Sequence, residues 1–88
     1  MTSRRWRVDY VRRAERDMRR LDPPVLRRVF VALERLADDD PSLDVLKLRG
    51  QETWRMRVGD WRVLFERDEA IRVISVMRVL PRGRAYDR

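Results

Sequence analysis

Apolar residues change their spacing twice along this chain, and the changes mark out its elements. Trp6, Val8 and Tyr10 alternate with Arg7 and Asp9, a period of two that predicts a short strand over residues 6–10. From residue 11 the step lengthens. Val11, Ala14, Met18 and Leu21 recur at three- and four-residue steps, with arginines and acids between them, which predicts an amphipathic helix over 11–21. Asp22-Pro23-Pro24 breaks it and starts another helix, with Asp22 as N-cap and Pro23 at the first helical position. Val25, Val29, Leu33 and Leu36 form the apolar stripe of that second helix, widened by Leu26 and Phe30. Asp38-Asp39-Asp40 and Pro41 end it. Acids at the negative end of a helix dipole predict fraying there and a solvated loop.

The remainder reads as strands. Residues 54–58 and 61–67 alternate on either side of Gly59-Asp60, a two-residue turn whose leading glycine suits type II′. Asp68-Glu69-Ala70 predicts a second tight connection, and residues 71–80 a longer strand stopped by Pro81. The order β-α-α-β-β-β predicts an α+β fold: a four-stranded antiparallel sheet with two helices on one face, in a single domain over 1–88. The glycine turn fixes the register. Val58 faces Trp61, Met56 faces Val63 and Trp54 faces Phe65, so these six share the core side. A three-residue second loop would then pair Phe65 with Val73 and Trp61 with Met77 on that side. On the other side it would set Glu66 against Arg72 and Leu64 against Ile74. The helix-free face thus collects Arg55, Arg57 and Arg62, with Arg78 projecting the same way and no acid on the central strands to neutralise them.

Charge sharpens that picture. The chain carries 22 basic and 15 acidic residues, a net +7, and all but Lys47 of the basic ones are arginine. Like charges across a hairpin repel, so a cluster of arginines on one face points to an anionic partner. The planar guanidinium fork matches phosphate in a bidentate manner. The tail Arg82-Gly83-Arg84-Ala85-Tyr86 sets an aromatic among arginines, a pattern that can stack a base while holding phosphates. There is no Cys and no His, which excludes disulfides, thiolate metal sites and histidine catalysis or ligation. No apolar run approaches a membrane span, and no signal-peptide pattern opens the chain, so a cytoplasmic protein without membrane contact is expected.

These residues carry a resemblance. Lys47-Leu48-Arg49-Gly50, the hairpin from Trp54 to Val63 and the tail Arg82-Gly83-Arg84-Ala85-Tyr86 together resemble the RelE/ParE superfamily of bacterial type II toxins, over nearly the whole chain. RelE-like members cut messenger RNA in the ribosomal A site and are held inactive by an acidic antitoxin. The resemblance therefore implies a ribosome-dependent endoribonuclease with a cognate acidic antitoxin, the ribosome and A-site messenger RNA as partners, and no metal or cofactor. It puts Arg62, Arg82 and Tyr86 in catalytic places and Arg55 and Arg57 against RNA phosphates; the face geometry adds Arg78 and the basic tail adds Arg84 to the phosphate-binding set. Two departures stand out. Pro81 sits where many relatives have His, and both strand positions are Arg where RelE has Lys. ParE-like members instead poison DNA gyrase without cutting nucleic acid, and that is the alternative.

The chemistry bears on the choice. Cleavage by a 2′-hydroxyl needs proton removal, stabilisation of the phosphorane and protonation of the leaving oxygen. Arginines serve the second need. They serve the first poorly, because a guanidinium with a pKa above ~12 stays protonated. Tyr86, with a reference pKa near ~10, and Lys47 are the remaining proton carriers, with a structural role favoured for the Lys47–Gly50 loop. Such a site depends on the ribosome to position its substrate.

Overall fold

The computed structural model describes residues 5–82. Within them the order is β1 (Arg7–Tyr10), α1 (Arg12–Arg19), α2 (Pro23–Ala37), β2 (Val45–Lys47), β3 (Trp54–Val58), β4 (Trp61–Asp68) and β5 (Val73–Pro81). The sheet has five strands in the order β1-β5-β4-β3-β2. The α+β class stands, and two details of the expectation are corrected. β1 pairs with β5 in parallel, so the sheet is mixed. β2 is an additional edge strand antiparallel to β3. Its three residues are too few to show a period, which is why the sequence pattern passes over it.

The core lies between the helices and one face of the sheet. Ala14 and Met18 of α1 and Val29, Leu33 and Leu36 of α2 are buried with Met56, Val63, Phe65, Ile74, Val76 and Val79. Trp54 stacks on Phe65 with ring centroids 6.4 Å apart, as the hairpin register requires. Trp6, Val8 and Tyr10 also join the core, so the period of two over 6–10 points the right way. Full burial of a side chain such as Phe65 is worth roughly 1.5–3 kcal/mol, and this face supplies most of the fold's driving force.

The β4–β5 register departs from expectation. Phe65 pairs with Val76 and Leu64 with Arg78, leaving Met77 without an opposite residue. Trp61 pairs with Pro81 and Glu66 with Ser75, rather than with Met77 and Arg72. This β-bulge lets Val76 and Val79, three residues apart, both face the core. An unbroken strand would have turned one of them out. The second connection is also longer than predicted: β4 runs to Asp68, β5 starts at Val73, and the intervening Ile71 is exposed. Asp68 Oδ1 accepts from the Ala70 N–H at 3.0 Å, and Arg72 takes φ 55°.

The acidic run is not merely a solvated loop. Asp39, at φ 59°, accepts from the Trp6 indole at 3.0 Å and from Arg72 at 3.2 Å. Arg72 and Arg67 stack on Trp6, and Arg67 also covers Trp54 at 4.1 Å, so this corner ties β1 to the hairpin. Asp40 accepts from the Ser42 backbone N–H and hydroxyl and from Arg35, which lowers its carboxyl from 3.8 to about 2. A depressed carboxylate stabilises the fold above its unfolded pKa and stops doing so as pH falls through the folded value. Thermal stability is therefore expected to hold down to about pH 4 and to decline between there and about pH 2. Asp40→Asn should flatten part of that decline in melts followed by circular dichroism. An unchanged acid profile would remove Asp40 from the account. No helix among the described residues is long and apolar enough to cross a membrane.

Candidate functional site

The helix-free face is built by the β3–β4 turn. Gly59 adopts φ 58° and is the only residue of the two-residue turn in the left-handed region, the type II′ pattern that matches strand twist. It fixes Val58 against Trp61, Met56 against Val63 and Trp54 against Phe65, as expected. The intervening residues face the other way: Arg57 lies directly opposite Arg62, Arg55 opposite Leu64, Leu64 opposite Arg78, and Arg62 opposite Leu80. The Arg82 N–H donates to the Asp60 carbonyl at 2.7 Å, which continues the ladder past Pro81 and sets Arg82 beside this row. Arg57 and Arg62 therefore stand side by side on β3 and β4, with Arg82 just past the end of β5. Like charges directly opposite each other destabilise a sheet by up to about 1 kcal/mol, so this pairing has a cost that stability alone does not explain.

The face is less open than the sequence reading implies, and two acids from outside the central strands, Asp44 and Asp17, reach its arginines. Arg62 is 2% exposed and Arg55 7% exposed, whereas Arg57 and Arg82 are exposed. Asp44, just before β2, serves two arginines. Its Oδ1 accepts from Arg55 Nη1 at 3.0 Å, and its Oδ2 lies 3.7 Å from Arg57 Nε. Its carbonyl also accepts the Arg57 N–H at 3.0 Å. Asp17 on α1 holds Arg78 through two bonds, at 2.8 and 3.2 Å, and takes the Val79 N–H at 2.9 Å. β1 covers β5 only as far as Val76, so that N–H sits on an uncovered stretch of edge which Asp17 satisfies. Burial pushes the Asp17 carboxyl up. The Arg78 and Val79 hydrogen bonds, with the charges of Arg78 and Arg13, outweigh it and leave the carboxyl below its ordinary value.

These acids divide the predicted site. Arg57, Arg62 and Arg82 form its accessible side and its wall. Arg55 is committed to Asp44, and Arg78 reaches a phosphate only by sharing its guanidinium with Asp17. Lys47 stands opposite Trp54, on the face away from the arginines, and does not enter the cluster. Tyr86 and Arg84 lie outside the described residues. Sequence reasoning missed Asp17 and Asp44. Asp17 follows Arg16 and precedes the buried Met18, so its place on the flank of the apolar stripe is a weak signal; Asp44 gives none, because β2 itself was not visible.

A basic strand face beside a two-helix layer has known counterparts. The family pattern described as the ParE toxin of type II toxin-antitoxin systems, parDE, matches residues 8–86. The chain belongs to the RelE/ParE toxin superfamily. This toxin superposes on RelE in the archaeal RelE–RelB complex from Pyrococcus horikoshii with a TM-score of 0.73 and 28% identity, covering 90% of this chain and 97% of that one. Its fold resembles that of one chain of the intact Escherichia coli RelBE toxin-antitoxin complex at TM-score 0.71 and 22% identity, covering 86% of this chain and 95% of that one. Against the isolated Escherichia coli RelE toxin the TM-score is 0.72 at 22% identity, covering 92% and 88%, a likeness of fold. No curated protein sequence matches the chain.

Proposed function

We propose that this toxin is a RelE-like, ribosome-dependent endoribonuclease that cleaves messenger RNA in the A site and is neutralised by a cognate acidic antitoxin. The observation that carries it is the opposition of Arg57 and Arg62 across the β3–β4 hairpin, with Arg82 just past the end of the adjoining strand. Three guanidiniums on one face suit a phosphodiester that gains charge as it becomes a phosphorane. In the reaction the 2′-hydroxyl attacks the adjacent phosphorus and the 5′-oxygen leaves, giving a cyclic phosphate. Arg62, held in the sheet, grips the phosphate; Arg57 and Arg82 close on it from the solvent side; Arg84 supports a neighbouring phosphate, while Arg55, paired with Asp44, braces the wall of the site. Tyr86 is proposed to exchange the proton. With no histidine the catalyst is weak by itself, and positioning of the messenger by the ribosome supplies the rest.

A second reading has its own support. The matched family pattern is that of ParE, and the arginine face lacks both histidine and lysine, which suits a gyrase poison that does no chemistry. Primer extension on ribosome-bound messenger RNA, run beside a gyrase supercoiling assay, separates the two. Discrete toxin-dependent stops with normal supercoiling are expected. Inhibited supercoiling without stops would replace the nuclease by the gyrase reading.

The RelE chain from Pyrococcus horikoshii was solved with RelB, which supports an antitoxin partner here. An acidic antitoxin covering the arginine face should lose affinity steeply with added salt. Titration at two ionic strengths is expected to show that loss. Salt-independent affinity would mean that apolar packing dominates instead.

A further inference from the structure

Arg57 has a charge on either side of it. β2 pairs with β3 so that Val45 lies opposite Met56, which sets Asp44 opposite Arg57, and the Arg57 N–H donates to the Asp44 carbonyl at 3.0 Å. Residues opposite each other on paired strands share a face. The helix-free face therefore carries the row Asp44, Arg57, Arg62 from the sheet edge inward. Among the described residues Asp44 is the one carboxylate paired with Arg55 or Arg57.

That carboxylate serves its two arginines unequally. Oδ1 accepts a hydrogen bond from the buried Arg55 at 3.0 Å. Oδ2 stands 3.7 Å from Arg57 Nε, beyond hydrogen-bond reach, and the Arg57 side chain makes no hydrogen bond among the described residues. The other acid of this face is set differently. Asp17 holds Arg78 by two bonds, at 2.8 and 3.2 Å, and its side chain is 10% exposed, against 55% for Asp44. Asp17–Arg78 is a closed pair, whereas Asp44 is anchored by Arg55 and only leans on Arg57. A loose, exposed ion pair adds little stability. It does offset the repulsion between Arg57 and Arg62. A phosphate, which takes short bidentate bonds from a guanidinium, outcompetes it.

We propose that Asp44 is a positioning residue: an anchored counter-ion that aligns the Arg57 guanidinium in the empty site and yields it to the phosphodiester of the substrate. The identity of that phosphodiester rests on the nuclease reading above; the counter-ion rests on the geometry of the pair. The Asp44 charge repels the incoming phosphate, so it weakens binding, while it aligns a cation that acts in the cleavage step. The two effects have opposite signs, and an acid with only a structural part produces no such split.

The test uses toxin made by cell-free synthesis. Single-turnover cleavage on ribosomes carrying messenger RNA, over a range of toxin concentrations, separates half-saturation from the limiting rate. Asp44→Asn keeps the shape and an acceptor for Arg55, and circular dichroism checks its fold. It is expected to lower the half-saturation concentration about two- to fivefold and the limiting rate about tenfold. Asp44→Glu keeps the charge and should restore the wild-type half-saturation and part of the rate. Unchanged parameters, or half-saturation rising as the rate falls, would overturn the proposal. A second readout needs no cleavage. Inorganic phosphate is titrated into isotope-labelled toxin while NMR follows the arginine Nε–H signals, those of Arg55 and Arg57 being assigned from Arg55→Lys and Arg57→Lys spectra. Phosphate should shift Arg57 before Arg55 and bind Asp44→Asn more tightly than wild type. Phosphate that moves neither signal, moves Arg55 first, or binds both proteins alike defeats the idea. If the wild type cuts no messenger, the nuclease reading falls and the titration alone decides whether Asp44 is the counter-ion of Arg57. If Asp44→Asn does not fold, the order of shifts in the wild type decides it.

Discussion

Arg62→Ala is expected to abolish growth arrest on induction without antitoxin, with cleavage on ribosomes falling by about 10²–10³. The side chain is fixed between the β3–β4 turn and the β5 ladder, opposite Arg57 and Leu80, which holds its guanidinium in place. Its burial changes how the result must be read. A solvent-facing arginine would leave the fold untouched on truncation. At 2% exposed, Arg62 fills space, and alanine there should also cost stability, on the order of 1–3 kcal/mol. Arg62→Met separates the two effects. It keeps a long unbranched stem and removes the charge, and replacing a buried charge by an apolar side chain is often neutral for stability. A phosphate clamp predicts that Arg62→Met melts near the wild type and is as inactive as alanine. If Arg62→Met remains fully toxic, the charge has no catalytic part and the strand face is not the active site.

Asp17→Ala is expected to destabilise the fold more than any other single surface-layer change. It strands the Arg78 guanidinium and the Val79 N–H together, beside a helix that is otherwise weak. Breaking a buried pair costs about 3–5 kcal/mol. Arg78 is 28% exposed and can recover some hydration, so about 2–3 kcal/mol is expected here. For a domain of this size each kcal/mol moves Tm by roughly 4–8 °C, so the melt should fall by about 10 °C or more. Asp17→Asn retains an acceptor for Val79 and should fall between. Asp17→Ala melting like the wild type would mean that α1 does not depend on this pair to dock against β5.

Much of this protein was legible from short-range pattern. The period of two over 6–10, the change of step at residue 11 and the proline pair at the start of α2 each report a local constraint that acts within a few residues. So does Gly59-Asp60: a type II′ turn admits one register, and that register alone puts Arg57 opposite Arg62. The sequence by itself therefore determined the types of all the elements but β2, the core face of the hairpin and which arginines share the other side. Only the tertiary structure decided the rest, because the rest depends on partners far apart in the chain. Parallel pairing of β1 with β5 brings the first and last strands of the chain together, and the bulge at Met77 exists because Val76 and Val79 both find core to fill. The burial of Arg62, and the capture of Arg78 by Asp17 and of Arg55 by Asp44, likewise follow from contacts between distant segments. A period reports which way a side chain points; what it meets there is set by the elements that pack beside it.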